Sequence, residues 1–372
     1  MASRVPTVLL ILVTALSVML ATSCGAGPGR IATVSVTDLL GRDVDVPTAV
    51  RRVVAIGPGA LRLVVYASDV SQVVGIEQFD ANDPTGRPYM LANPALAELP
   101  IIGQGGPNNA PDPERILTVA PDVIFSTYAT EASVADELQA KTGIPVVVVS
   151  YGPQGYGVTP IFDEVVYDSL RLVGDITGQA EKAQAAIKVI QRAREDLEAR
   201  TAGIPEADKP SVYVGGLGAR GTHGIESTQA RYALLDAIHA RNVVDETDAS
   251  GSVMIDREVL LAWDPDVIFI DRMGLTAVAD DFAKNPTFYA SLSAFRDGRV
   301  YGQLPYNNYN TNIDTAIADA YYLAKVLNPD AFADIEAEEK ADEIYQALVG
   351  RPVYDQMADV YGGFGALALA TP

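Results

Sequence analysis

The sequence predicts an α/β protein of two lobes, each a central parallel sheet flanked by helices, joined by one long α-helix. Three observations predict it. The segment "ERILTVAPDVIFS" at 114–126 returns as "EVLLAWDPDVIFI" at 258–270, a spacing too long for a stacked repeat and suited to two related domains. Around each copy, continuous apolar runs such as "VVAI" and "VYVGG" alternate with amphipathic stretches, the pattern of parallel strands covered on both faces. Between the copies, 178–203 is rich in Ala, Glu, Lys, Arg and Gln and bracketed by Gly178 and Gly203. These are strong helix formers, and about 22 helical residues make a rod about 33 Å long.

At the N-terminus, "MASR" carries Arg4, an apolar run follows, and "SCG" ends it. A positive start, a short apolar core and small residues at the end read as a signal peptide over 1–23. The only cysteine, Cys24, closes "ATSC", which resembles the bacterial lipobox, with Ala21 in the usual Leu place. That resemblance implies lipidation of Cys24 and a flexible tether over 24–33, putting the protein on the outer face of the cytoplasmic membrane. The first lobe spans 34–177. Its strands are "RRVVAI", "QVVGIE", "PDVIFST" and "IPVVVVS"; its helices are "ALRLVVYASD", "DPERILTVA", "ASVADELQAKTG" and "IFDEVVYDSLRLVGDITG". The second lobe spans 204–372 and repeats the order: strand "SVYVGG", helix "RYALLDAIHA", strand "NVVDE", helix "DREVLLAWD", strand "PDVIFID", helix "TFYASLSAFRDG", strand "RVYGQL" and helix "IDTAIADAYYLAKVL". Right-handed crossovers place the loops that follow the strands along one edge of each sheet, where ligands bind.

Charge and motifs exclude several functions. The formal charge of −21 argues against a nucleic-acid partner, which needs a basic face. "VVAIGPGALR" imitates a dinucleotide site, with Gly57-x-Gly59 after a strand and Glu77 twenty residues on. Arg62 takes the place of the third glycine and Pro58 removes a backbone donor, so an NAD-binding oxidoreductase is a remote alternative. His223 and His239 are the only histidines, and His239 reads as a packed or half-exposed helix residue. There is no zinc spacing, no G-x-S-x-G and no singled-out carboxylate pair, so an exported enzyme is also remote.

The export signal, the two related lobes and the connecting helix together resemble one family: the substrate-binding proteins of ABC importers for ferric siderophores, haem and cobalamin. "VTDLLGRDVDVPTAVRRVVAIGPGALRLVVYA" and "PDPERILTVAPDVIFS" carry the likeness, which runs from about Val34 to Phe364. The resemblance implies no reaction and no cofactor. It implies a monomer that binds a metal chelate, a ferric siderophore first, and docks on a permease dimer through one glutamate per lobe. The matching positions are Glu114 and Glu258. Haem, cobalamin or an oxyanion such as molybdate or tungstate would keep the same role with another cargo. An adhesion or sensor protein would not need two docking glutamates.

The loop "LPYNNYN" leaves the last strand of the second lobe toward the inter-lobe cleft. Tyr306 and Tyr309 can stack on a ligand, and Asn307 and Asn310 can donate and accept hydrogen bonds; Asn312 reads as the N-cap of the following helix. The loop "GGLGARGTHGIEST" supplies Arg220 and His223 as a cationic wall, with Glu226 placed to hold Arg220. Pro58, Gly59, Asn108, Tyr128 and Tyr151 are the first lobe's candidates.

Overall fold

The computed structural model describes residues 32–106, 108–152, 161–218 and 221–369. The expected signal, Cys24, most of the tether and Arg220 lie outside them. Strands are numbered along the chain. An antiparallel ribbon of β1 (Thr33–Thr37) and β2 (Asp43–Pro47) leads into the first sheet. That sheet contains β3 (Val53–Ile56), β4 (Val73–Gly75), β5 (Val123–Ser126) and β6 (Val146–Val148), all parallel, in the order β4-β3-β5-β6. The second sheet contains β7 (Ser211–Gly215), β9 (Arg241–Asn242), β11 (Val267–Asp271) and β12 (Val300–Gln303), also parallel, with β13 (Gly365–Ala366) added antiparallel. Its order is β13-β12-β11-β7-β9. Apart from β13, each sheet sets its second strand beside its first, then its third, then its fourth.

The repeated segment adopts the same local structure twice. Ile116 and Leu260 are the buried residues of the short helices Pro113–Thr118 and Arg257–Trp263. Ala120 and Asp264, in register in the repeat, both take φ 40°, a left-handed turn that redirects the chain into the strand. Asp122 Oδ2 then accepts the backbone N–H groups of Arg51 and Arg52 at 2.8 and 2.9 Å. Its counterpart Asp266 accepts Ser211 N and Ser211 Oγ at 2.8 and 2.7 Å. Each aspartate ties the entry of the third strand to the entry of the first.

Strand alternation divides the core into three layers. Val53, Ala55, Val123, Phe125 and Val147 of the first sheet share one apolar cluster with Val212, Val214, Val267 and Phe269 of the second. The opposite faces feed separate outer clusters, Val54, Ile56, Ile124, Val146 and Val148 in one and Tyr213, Ile268, Ile270 and Val300 in the other. Helix Ile313–Leu327 lies in the shared middle layer, buried on all sides from Ile313 to Ala324, with Asp314, Thr315 and Asp319 among the buried residues. Helix Ala337–Val349 covers it and reaches the first lobe, where Asn93 Nδ2 donates to Val349 O at 3.3 Å. The long helix runs from Ala180 to Thr201, 22 residues, inside the expected 178–203. Near its start Lys182 bonds Val65 O and Ser68 O of the first lobe, and near its end Arg200 pairs with Asp334 at 2.6 Å.

Several elements differ from expectation. "RYALLDAIHA" yields only the short helix Ala233–Asp236, because the residues before it form β8 (Ser227–Ala230), paired antiparallel with β10 (Gly251–Met254). "NVVDE" contributes one strand residue, Asn242, and then a 3₁₀ turn, Val243–Glu246, whose start Asn242 Oδ1 caps. "TFYASLSAFRDG" breaks into Pro286–Ser291 and Ser293–Arg296, and an unexpected helix, Leu275–Lys284, precedes it.

Candidate functional site

The loops after the strands of the two sheets meet. After β3 the chain turns at Gly57, Pro58 and Gly59. Gly57 has φ 90°, and a Cβ there would stand 2.5 Å from Tyr128 N, so the position needs glycine twice over. Its N–H donates to Glu77 Oε2 at 2.9 Å. The acid that a dinucleotide motif would reserve for a ribose is therefore already engaged by the turn itself. Tyr309, from the loop after β12, donates its hydroxyl to the same Glu77 oxygen at 2.7 Å and accepts Gly106 N–H at 2.9 Å. Its ring packs on Phe79, centroids 4.2 Å apart, with the Arg87 guanidinium over both rings. Burial pushes the Glu77 carboxyl up to about 7, although both hydrogen bonds pull it down.

Arg62 lies at the centre of this contact, 0 % exposed. It comes from helix Ala60–Ala67, whose eight residues are all buried. Its five N–H groups are all used. Nε donates to Asn312 Oδ1 at 2.8 Å; one terminal nitrogen donates to Thr311 O at 2.8 Å and Tyr151 Oη at 3.2 Å; the other donates to Asn308 O at 2.9 Å and Tyr309 O at 3.2 Å. The guanidinium stands 4.9 Å from the Tyr89 ring centroid. Burial acts against its charge, and the facing Tyr151, Tyr89, Tyr66 and Asp314 oxygens more than offset this, leaving its pKa raised.

The candidate residues fall into distinct positions. Tyr309 is 8 % exposed and Tyr151 4 %, the latter donating to Gly59 O at 2.9 Å. Tyr306, 3 % exposed, packs toward Tyr232 with ring centroids 6.1 Å apart, inside the second lobe. All three tyrosines are buried. Asn310 Nδ2 donates to Pro58 O at 3.3 Å. Asn307 and Asn108 are exposed; Tyr128 and His223 are half-buried. Asn312 occupies the N-cap position of helix Ile313–Leu327, yet its side chain makes no cap bond. Its amide donates instead to Gly86 O and Tyr306 O, and its oxygen accepts from Arg62. Glu226 pairs with Arg257 at 2.7 Å. His239 pairs with Glu198 of the long helix at 2.7 Å, beside a hollow of ≈ 390 Å³ between residues 161–163 and 233–239.

Below the second lobe's rim, Asp271 at the end of β11 is fully buried, accepts Met273 N–H at 2.9 Å, and is pushed up to about 7 by burial. Asp319 accepts Leu304 N–H at 3.0 Å and is driven upward by burial and by Asp271. Glu114 and Glu258 are exposed in the first turns of their equivalent helices. Among the described residues neither carboxylate has a hydrogen-bond or ion-pair partner. A shallow groove of ≈ 580 Å³ lies beside Glu114, lined in part by Pro113, Leu117 and Lys141. No group of three or more metal-ligating side chains occurs among the described residues.

Residues 53–304, more than half of the chain, match the model of one family, periplasmic binding protein. The chain belongs to that family. The molybdate-binding protein MolA of Haemophilus influenzae is 24% identical over 324 residues, 84% of this chain and 89% of its own. The ABC transporter substrate-binding lipoprotein YvrC of Bacillus subtilis is 21% identical over 81% of this chain and 87% of its own. Among solved structures, MolA bound to molybdate superposes with a TM-score of 0.65 at 20% identity, covering 86% of this chain and 98% of that one. A periplasmic solute binding protein of Veillonella parvula reaches 0.67 at 20% identity, over 89% and 97%. The structural likeness confirms the two-lobed α/β fold. Family membership makes the chain the substrate-binding component of an ABC importer. No helix among the described residues is long and apolar enough to cross a membrane.

Sequence reasoning missed Arg62 and Glu77 as organisers of the site. A lone arginine inside the apolar helix "ALRLVVYA" was the available signal, since an isolated charge in such a run is buried only with its donors satisfied.

Proposed function

We propose that the chain is an exported lipoprotein, anchored through Cys24, that holds a metal chelate between the two loop-bearing edges and hands it to an ABC permease dimer through Glu114 and Glu258. A ferric siderophore is the first cargo on this reading. One observation supports it: loops at the carboxyl edges of both sheets converge, Tyr309 on Glu77 and Asn310 on Pro58, so residues of both lobes meet at the edge where α/β sheets bind ligands. The exposed side chains of Asn307 and Asn108, the half-buried Tyr128 and His223, and Arg220 are its ligand contacts, while Tyr306, Tyr309 and Tyr151 hold the walls. The docking role of the glutamates is supported by their equivalence in the repeat and their lack of partners among the described residues. A free carboxylate on each lobe suits an arginine on each half of a dimer. MolA's molybdate supports a second reading, a small oxyanion in the same place.

Calorimetric titration with ferric siderophores, haemin, cobalamin, molybdate and tungstate tests the cargo. Saturable binding of one of them, about micromolar or tighter, supports the reading. An absence of heat from every member of the panel overturns it.

A further inference from the structure

We propose that Arg62 is the positioning residue of the inter-lobe cleft: it fastens the loop after β12 of the second lobe onto the first lobe and thereby sets the separation of the two edges. This rests on the reading of that gap as the binding cleft. By chain connection the loop belongs to the second lobe; by its bonds it belongs to the first. Four of Arg62's five hydrogen bonds go to residues 308–312, between 246 and 250 positions away in sequence. The fifth goes to Tyr151, which passes it to Gly59 O in the first lobe's own turn.

Further bonds surround these. Asn308 Nδ2 donates to Thr85 O at 3.1 Å, Asn312 Nδ2 to Gly86 O at 2.8 Å, and Tyr309 spans Glu77 and Gly106. The loop also holds two consecutive non-glycine residues in the left-handed region, Tyr309 at φ 54° and Asn310 at φ 70°. Such a pair persists only where its surroundings impose it. The Arg62 bonds to the carbonyls of Asn308, Tyr309 and Thr311 bracket that pair on both sides. Opening the edges here would strand a fully buried guanidinium and a buried carboxyl together. The clasped loop is thus the fixed wall.

Hydrogen exchange of the ligand-free protein tests this, comparing wild type with Arg62→Met and Tyr309→Phe. Tyr309→Phe keeps the ring against Phe79 and removes only the hydroxyl bonds. Both variants should accelerate exchange of the Gly57, Gly106, Thr311 and Asn312 amides about tenfold, the loss of roughly one net hydrogen bond. Strands β5 and β11 should keep their wild-type rates, and the radius of gyration in solution scattering should rise in Arg62→Met. A merely structural role would instead speed exchange evenly through both sheets, and that result, or unchanged rates in Tyr309→Phe, overturns the proposal. If Arg62→Met does not fold, Tyr309→Phe decides alone. Neither readout involves cargo or permease, so failure of the transport reading leaves them standing, and their failure leaves that reading standing.

Discussion

The two lobes agree where they meet their own sheets and differ where they meet each other. At the base of each third strand the same helix, the same left-handed turn and the same strand-tying aspartate recur, Asp122 in one lobe and Asp266 in the other. At the rims no such pairing recurs among the described residues. The first lobe offers a buried cation, Arg62, and a buried acid, Glu77; the second offers a loop that fills them and keeps its own acids, Asp271 and Asp319, beneath the surface. Architecture has been copied and recognition has not. Residues without a counterpart are therefore the ones to examine for function, and paired residues are the ones to examine for folding or for docking on a paired partner.

The largest break in the comparison comes from Arg62. Arg62→Ala leaves five buried or half-buried oxygens without donors and should cost roughly 3–5 kcal/mol in urea unfolding. Arg257, a half-buried arginine of the second lobe paired with Glu226 and Asp281, should cost only about 1 kcal/mol on the same change. A similar loss for the two would erase the asymmetry.

pH provides the next test. Glu77 and Asp271 are each raised by burial to about 7 in the folded protein, from 4.5 and 3.8. The folded state therefore binds protons more tightly than the unfolded chain across that window. Their stabilising effect is complete below the unfolded values and is lost as the pH rises through 7, up to about 3 kcal/mol for Glu77 and about 4 kcal/mol for Asp271. Chemical denaturation at a series of pH values should show it, and Glu77→Gln should flatten the first lobe's share. A slope unaffected by that change would mean Glu77 titrates as an ordinary surface acid.

Smaller effects sharpen the similarity. Asp122→Asn and Asp266→Asn should each cost about 1–2 kcal/mol and add in the double variant, being distant and equivalent. Glu114→Ala and Glu258→Ala should leave unfolding within about 0.5 kcal/mol of wild type, as expected for exposed side chains without partners.

Much of this was legible in the chain. The repeat, the alternation of strands and helices and the long helix follow from apolar runs and helix-forming composition, which report local structure directly. The loop 303–312 announced itself by its asparagines and tyrosines, and its place at the inter-lobe edge follows from the strand before it. Its occupation by Arg62 did not follow, because a contact across about 250 residues leaves no periodicity. Asn312 shows the same limit: its position as a helix cap was readable, while its side chain went to a stronger charged donor. Short elements such as β8 with β10 escaped because their four-residue strands are set by pairing with each other rather than by propensity.

On the proposed reading, the receptor binds with its rims and delivers with its two equivalent glutamates. Uptake of the bound cargo should be measured in cells or proteoliposomes containing the cognate importer, beside calorimetric affinity, for the double variant Glu114→Ala, Glu258→Ala. The expected result is wild-type affinity with uptake abolished. Undiminished uptake, or affinity lost along with it, would contradict the division of labour between rim and docking face.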